Sequence, residues 1–445
     1  MIRAGRIKAL AGERLRAALA QDPVWRYGRV LSGNGEVLRA SGVRAPIGAR
    51  CLIAEEAGEM AAEIIGLAEN AVLLMPEQGG RGVGRGARVR VETAQLAAMT
   101  GDALLGRVLD ARGKPLDGGP PPQAGTPWPL RGVPLNPMLR ARIDTPFDIG
   151  IAAINALATL GRGMRVGLFA GSGVGKTTLL GMMARHARAD AVVLAMIGER
   201  GREIREFIED HLGGALAHTV VVVSPADDTA LARVQGAYRA AAIAESLRAR
   251  GRHVLLLVDS LTRLAMALRE IGLAAGEPAA TRGYPPSVFG ALSAYVERAG
   301  NGGPGQGSIT AIHTVLVEGD DHVGDPVADT ARAILDGHIV LSRAMAEAAI
   351  YPPIDIAASL SRLMPQLAGA EQMRLAGHFR ALWVRRREKQ DIIDLGAYAP
   401  GRDPLLDEAL QRAPAMEALL RQDAAARVGL EAALQHLRAA LGEEA

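Results

Sequence analysis

Residues 169–185, FAGSGVGKTTLLGMMAR, place Gly171, Gly173 and Gly175 within five residues and then run directly into a helical pattern. Glycine at that density disfavours helix and strand alike. The stretch therefore reads as a junction, with the apolar run MRVGLFA (164–170) as a strand before it and the segment after Lys176 as a helix. A strand, a flexible turn and a helix start make an anion-binding device. The first N–H groups of a helix lack intrahelical partners, and its N-terminus carries partial positive charge. Glycines let the backbone curl so that successive N–H groups point inward with no Cβ in the way. AGSGVGKT (170–177) fits the phosphate-loop pattern, with Ala170 in the place usually held by glycine. The expected nucleotide cradle is Ala170, Gly171, Ser172, Gly173, Val174, Gly175, Lys176, Thr177 and Thr178. Lys176 would reach the β- and γ-phosphates of ATP, and the Thr177 hydroxyl would hold Mg²⁺.

The surrounding pattern predicts the fold. AVVLAMIG (191–198), VVVVS (220–224) and HVLLLVD (253–259) are short continuous apolar runs, as strands buried on both faces of a parallel sheet require. TALARVQGAYRAAAIAESLRAR (229–250) is long enough for a helical crossover, and SITAIHTVLVEG and GHIVLSR supply further strands. An α/β, doubly wound phosphate-loop core follows for residues 96–365. Residues 24–95 differ: GRVLS, CLIAE, AEIIGL, AVLLMP and ARVRVET recur between glycine-containing turns, which predicts a small β-barrel or sandwich. DGGPPPQAGTPWPL (117–130) reads as a rigid extended connection without regular structure. Residues 366–445 read as a C-terminal helical domain. Residues 1–23 read as an amphipathic helix with a basic face (Arg3, Arg6, Lys8, Arg14 and Arg16 against Glu13), suited to docking a partner or an anionic surface.

Hydrolysis needs carboxylates near the phosphates. Asp259 closes the run HVLLLVD, where an acid is costly without a partner or a task, and it is the candidate for Mg²⁺. As a structural residue it would simply cap the next helix. IGERGRE (197–203) offers Glu199 and Glu203 beside Arg200 and Arg202 at the carboxyl end of another strand, where ligands of open α/β sheets bind. Composition narrows the rest. Cys51 is the single cysteine, so no internal disulfide or thiolate cluster exists. No apolar run approaches 18 residues and the N-terminus lacks the apolar stretch of a secretory signal, so a cytoplasmic protein is expected. Net charge is only +3 and aromatics are 3%, which gives little support to a polyanion-reading surface.

Beyond the phosphate loop, IGERGREIREFIED, LLLVDSLTRLA, TRGYPPSVF, VEGDDHVGDPVADTARAILDGHIVLSR, YPPIDIAASLSRLM and IDLGAYAPGRDPLLDEAL occur in order between about 130 and 410. Together they resemble the hexameric ATPases related to the catalytic subunits of rotary ATP synthases, and most of all the flagellar protein-export branch. The resemblance implies roles by position. Glu199 matches the carboxylate that polarises the attacking water, where non-catalytic relatives carry Gln, and Arg200 touches the same network. Glu203 and Asp259 match groups that hold Mg²⁺ through water, and Thr177 the group that holds it directly. Arg263 matches the arginine near the γ-phosphate, Tyr351 the aromatic that packs on adenine, and Arg362 the finger inserted into a neighbouring subunit's site. A homohexamer with its finger in trans is implied. So are a regulatory dimer at the N-terminal helix, a coiled-coil stalk protein, export substrates and their chaperones, and a membrane export gate at the inner membrane. No nucleic-acid partner is expected. Three other readings share the core: the virulence-type secretion ATPase, a hexameric nucleic-acid translocase and a catalytically silent ring subunit. A translocase would want aromatic and basic residues interleaved on the barrel, where only Trp25 and Tyr27 stand. Glu199 and the intact loop oppose a silent subunit.

Overall fold

A computed structural model describes residues 27–55, 58–92, 96–122, 125–317 and 324–443. The helix expected over 1–23 lies outside these residues. The chain divides into two compact units, residues 1–96 and 97–445.

In the first unit, β1 (Tyr27–Gly33), β2 (Leu38–Ser41), β3 (Arg50–Glu55), β4 (Gly58–Ala68), β5 (Ala71–Pro76) and β6 (Arg88–Val91) close into an antiparallel barrel in the order β1-β2-β5-β4-β3-β6. Alternation sends Val30, Leu38, Ile53, Ile64, Leu74 and Val89 inward. Closure leaves no strand edge open to pairing with another chain. Five of these strands contain the sequence runs expected to form them; β2, LRAS, is too short to show a period. Cys51 is buried, and its thiol is pushed up to about 11 by that burial and by Glu92, so it stays protonated and inert.

The second unit opens with a correction. Thr126–Pro129 (β9) pairs antiparallel with Ala97–Thr100 (β7), so the proline-rich connection does hold regular structure. Pro127 and Pro129 fall on the same alternate face of β9, so the ladder can run through Thr126 and Trp128, and a two-stranded ribbon tolerates proline as edge strands do. Val108–Asp110 (β8) joins the main sheet, and Pro146–Phe147 (β10) pairs with Leu160–Gly161 (β11). The main sheet also contains β12 (Arg165–Ala170), β13 (Ala191–Ile197), β14 (Thr219–Ser224), β15 (His253–Asp259), β16 (Gly300–Asn301), β17 (Ser308–Leu316), β18 (Gly337–Val340) and β19 (Leu360–Ser361). Its order is β19-β18-β12-β17-β15-β13-β14-β8, parallel from β18 to β8, with β19 and β16 antiparallel. Every residue of β13 and β14 is buried, which is why these strands read as unbroken apolar runs.

Helix Ala230–Ala249, capped by the Thr229 side chain accepting from the Ala232 N–H, is buried along nearly its whole length. That burial explains its alanines, which let neighbouring backbones approach. Two of its polar side chains bond neighbouring segments. Glu245 receives Arg298 at 2.8 and 3.0 Å and the Trp128 indole N–H at 2.9 Å, while the Ser246 and Thr100 hydroxyls bond at 2.8 Å. These bonds pin the β7–β9 ribbon to the core. After β19 the described chain is helical: Ala370–Glu388, Pro404–Leu420 and Leu430–Ala440 are its longer helices. Their residues Phe379, Leu382, Met416, Leu420 and Leu437 share one hydrophobic core with Ile154, Leu157, Leu168 and Leu180. Among the described residues, no helix is long and apolar enough to cross a membrane.

The Glu245–Arg298 side chains are only 2% and 8% exposed. Arg298→Ala strands a buried carboxylate, and loss of about 3–5 kcal/mol is expected in urea unfolding; an unchanged midpoint would contradict the pairing.

Candidate active site

β12 ends at Ala170, and the glycine loop delivers the chain to helix Lys176–His186. Gly173 and Gly175 take φ values of +76° and +100°, which L-side chains adopt only under strain. Gly171 does not share that constraint; a Cβ there would meet Arg343 and Val174 at an ordinary 3.6 Å. Two of the three glycines, then, are fixed by backbone conformation. The Arg343 guanidinium donates to the Ser172 carbonyl at 3.2 Å and so braces the loop from outside. That residue lies inside the matched stretch GHIVLSR, yet nothing in its spacing assigned it a task.

Lys176 is the first residue of the helix, and its ammonium lies 2.6 Å from Asp259 Oδ1 and 3.3 Å from Glu199 Oε1. Asp259 ends β15 and Glu199 follows β13 by two residues, so the carboxyl ends of the sheet converge on one cation. The three side chains are 12%, 5% and 13% exposed. Burial pulls the lysine down, but Asp259 and then Glu199 outweigh it and hold it charged, above its usual range. Glu199 is pushed up by burial and by repulsion from Asp259, against the pull of Lys176.

Asp259 also accepts a hydrogen bond from the Thr314 hydroxyl at 2.6 Å. Val258 pairs with His313 across β15 and β17, so Thr314 is the next residue in register and points to the opposite face from His313. The only advance signal for Thr314 was a hydroxyl in a buried strand. His313 packs edge-on to Tyr295 at 5.9 Å, and burial, then Arg165, pushes it down to about 3. It is a neutral core residue on the face of β17 opposite Thr314.

Gly198, φ +73°, turns the chain so that Glu199 faces Lys176. The Arg263 stem packs on that turn, where a Cβ would meet its Cβ and Cγ at 3.0 Å. Arg263 therefore lies alongside the cluster. Arg200 and Glu203 do not enter its hydrogen bonds: Arg200 is 73% exposed, and Glu203 sits 3.6 and 3.7 Å from Arg200 and Arg202. Thr177 and Thr178 occupy the helix's first turn. Tyr351 is 52% exposed, and Pro353, two residues on, approaches the loop at Gly175, where a Cβ would be 3.7 Å from the proline Cδ.

Arg362 lies elsewhere. Its N–H donates to Asp336 O at 3.1 Å and its guanidinium to Arg332 O at 2.8 Å, while the Asp336 N–H donates to Arg165 O at 2.8 Å. Arg165 begins β12, and the loop lies beyond its other end. At about 3.3 Å per residue, the strand alone separates them by roughly 17–20 Å.

The donor set suits Mg²⁺. Among the described residues no group of three or more His, Cys, Asp or Glu forms a metal cage. Mg²⁺ in nucleotide sites is bound by one or two carboxylates and substrate phosphates, so Asp259, Glu203 and the Thr177 hydroxyl are sufficient.

Residues 150–361 match the ATP synthase alpha/beta family, nucleotide-binding domain, and residues 368–439 match the C-terminal domain of the type III secretion ATPase EscN. The flagellum-specific ATP synthase of Salmonella typhimurium is 51% identical over 426 residues, which cover 93% of each chain. The chain belongs to this family of ATPases. The assembled ATPase EscN of the enteropathogenic E. coli type III secretion system superposes with TM-score 0.87 at 40% identity, over 93% of this chain and 100% of that one. EscN in complex with its central stalk EscO gives 0.85 at 39% identity, with the same coverage.

Thr314→Val removes a hydrogen bond to a buried carboxylate while keeping shape. A loss of about 1.5–3 kcal/mol in urea unfolding is expected, with Thr314→Ser close to the parent. Equal stability of Thr314→Val and the parent would show that the contact contributes nothing.

Proposed function

We propose that this chain hydrolyses ATP as a subunit of a homohexameric ring that energises protein export through a flagellar type III secretion apparatus, in the cytoplasm against the inner membrane. The observation that carries the reading is Lys176 held between Glu199 and Asp259 at the mouth of the glycine loop. Identity of 51% to the flagellar relative, against 40% to EscN, favours the flagellar branch over the virulence type.

The loop N–H groups and Lys176 hold the β- and γ-phosphates. Phosphoryl transfer proceeds through a loose transition state with charge spread over the equatorial oxygens. Lys176 and Arg263 offset part of that charge; Thr177 would hold Mg²⁺ directly and Asp259 and Glu203 through water, and the ion would supply further positive charge when bound. Glu199 orients the attacking water and takes its proton, a task suited to a carboxylate whose pKa is raised by burial. Arg200 steadies that network from the solvent side. Tyr351 offers a half-exposed ring to the adenine. Arg362, too far from its own protomer's loop, completes the site of a neighbour.

For partners we propose the regulatory dimer on residues 1–23, and on the C-terminal helices the coiled-coil stalk, the export substrates and their chaperones, with the membrane export gate beyond. The EscN–EscO complex supports the stalk.

ATPase activity per subunit should rise steeply with protein concentration as rings form. Glu199→Gln is expected to lower kcat by roughly 10²–10⁴ without loss of ring assembly, and Arg362→Ala by roughly 10³–10⁵. A fully active Arg362→Ala would refute the finger; a fully active Glu199→Gln would refute the base.

A further inference from the structure

Residues 421–428, RQDAAARV, link helix Pro404–Leu420 to helix Leu430–Ala440. No motif marks them, yet they are bonded both to the segment that carries Tyr351 and to the far end of the phosphate-loop helix. On one side, the Gln422 N–H donates to the Tyr351 carbonyl at 2.8 Å. On the other, Arg185 and His186, the last two residues of the phosphate-loop helix, each reach the Ala424 carbonyl at 2.9 Å. Arg427 returns a bond to the His186 carbonyl at 3.0 Å and pairs with Asp148.

The Gln422 side chain locks this loop in place. Its Oε1 accepts from the Ala152 N–H at 2.7 Å, and its Nε2 donates to the carbonyls of Gly150 at 2.9 Å and Ala426 at 2.7 Å. Both amide N–H groups are thereby committed to backbone, so the side chain has no donor left to read a base. Gly150, φ +80°, lies against the helix end so closely that a Cβ would stand 2.4 Å from His186 Cβ. Residues 150–152, the loop and the end of the phosphate-loop helix therefore form one bonded unit.

We infer that Gln422 is a positioning residue: its side chain fixes loop 421–428, whose main-chain bond to the Tyr351 carbonyl sets the aromatic ring against the base. The inference rests on the proposed role of Tyr351 as the adenine platform.

Steady-state ATPase assays with Mg·ATP on the full chain test it, for the parent, Tyr351→Ala, Gln422→Ala, Gln422→Glu and the Tyr351→Ala/Gln422→Ala double variant. Gln422→Glu keeps the acceptor for Ala152 but turns an oxygen toward two carbonyls, so it serves if Gln422→Ala folds poorly. KM for ATP should rise roughly tenfold in either Gln422 variant with kcat within about twofold, and the double variant should be no worse than Tyr351→Ala. A merely structural role would lower kcat with the active fraction and leave KM alone, and that result overturns the inference. Tyr351→Ala separates the two possible failures. If it raises KM while the Gln422 variants do not, the inference is wrong and the platform stands. If it leaves KM unchanged, the platform reading fails and the inference goes with it.

Discussion

A lysine ammonium buried at the end of a parallel sheet is tolerable only if negative charge lies within hydrogen-bond reach. Lys176 meets that condition with two acids from two different strands, Asp259 at 2.6 Å and Glu199 at 3.3 Å. The demand fixes much around it. β13 and β15 must be neighbours for their ends to converge, and they pair in register over six residues. Gly198 must turn Glu199 inward, and Thr314 must take up the remaining capacity of Asp259. The same crowding keeps Glu199 from ionising as readily as a free glutamate, which suits the role of base proposed for it.

The parts of this arrangement carried by local patterns were legible in the sequence. Val- and Leu-rich runs marked β13, β14 and β15 because burial on both faces leaves no alternation. Gly173 and Gly175 marked the turn because few other residues take their φ. What escaped depends on distant partners. β9 was hidden by prolines that a two-stranded ribbon accommodates, and Thr314 became relevant only once β17 lay beside β15. Gln422 meets Tyr351 and Gly150 across about 70 and 270 residues of chain, a separation that no periodicity records. Arg200 and Glu203, grouped with Glu199 by their spacing, lie outside its hydrogen bonds, with Arg200 largely exposed and Glu203 3.6 Å from it.

The placement of Arg362 gives the molecule its collective character. Its backbone N–H is tied through Asp336 to the amino end of β12, the end opposite the loop, and its guanidinium donates to the Arg332 carbonyl. Under the proposed function, an arginine there would serve catalysis in another protomer's site, and hydrolysis would be a property of adjacent pairs. Each protomer would then have a site it cannot complete and a finger it cannot use. Combined with helices that share a core with the nucleotide domain, such an arrangement would give ATP turnover a route to shape changes around a ring.

Subunit mixing tests that claim most directly. Lys176→Ala has a defective loop and an intact finger; Arg362→Ala has the reverse. Each alone should be nearly inactive. Mixed and allowed to assemble, they should regain ATPase activity, because an Arg362→Ala subunit whose neighbour is Lys176→Ala has both a working loop and a working finger. If no mixing ratio restores activity although mixed rings form, the site is completed within one protomer and the account of catalysis in trans is wrong.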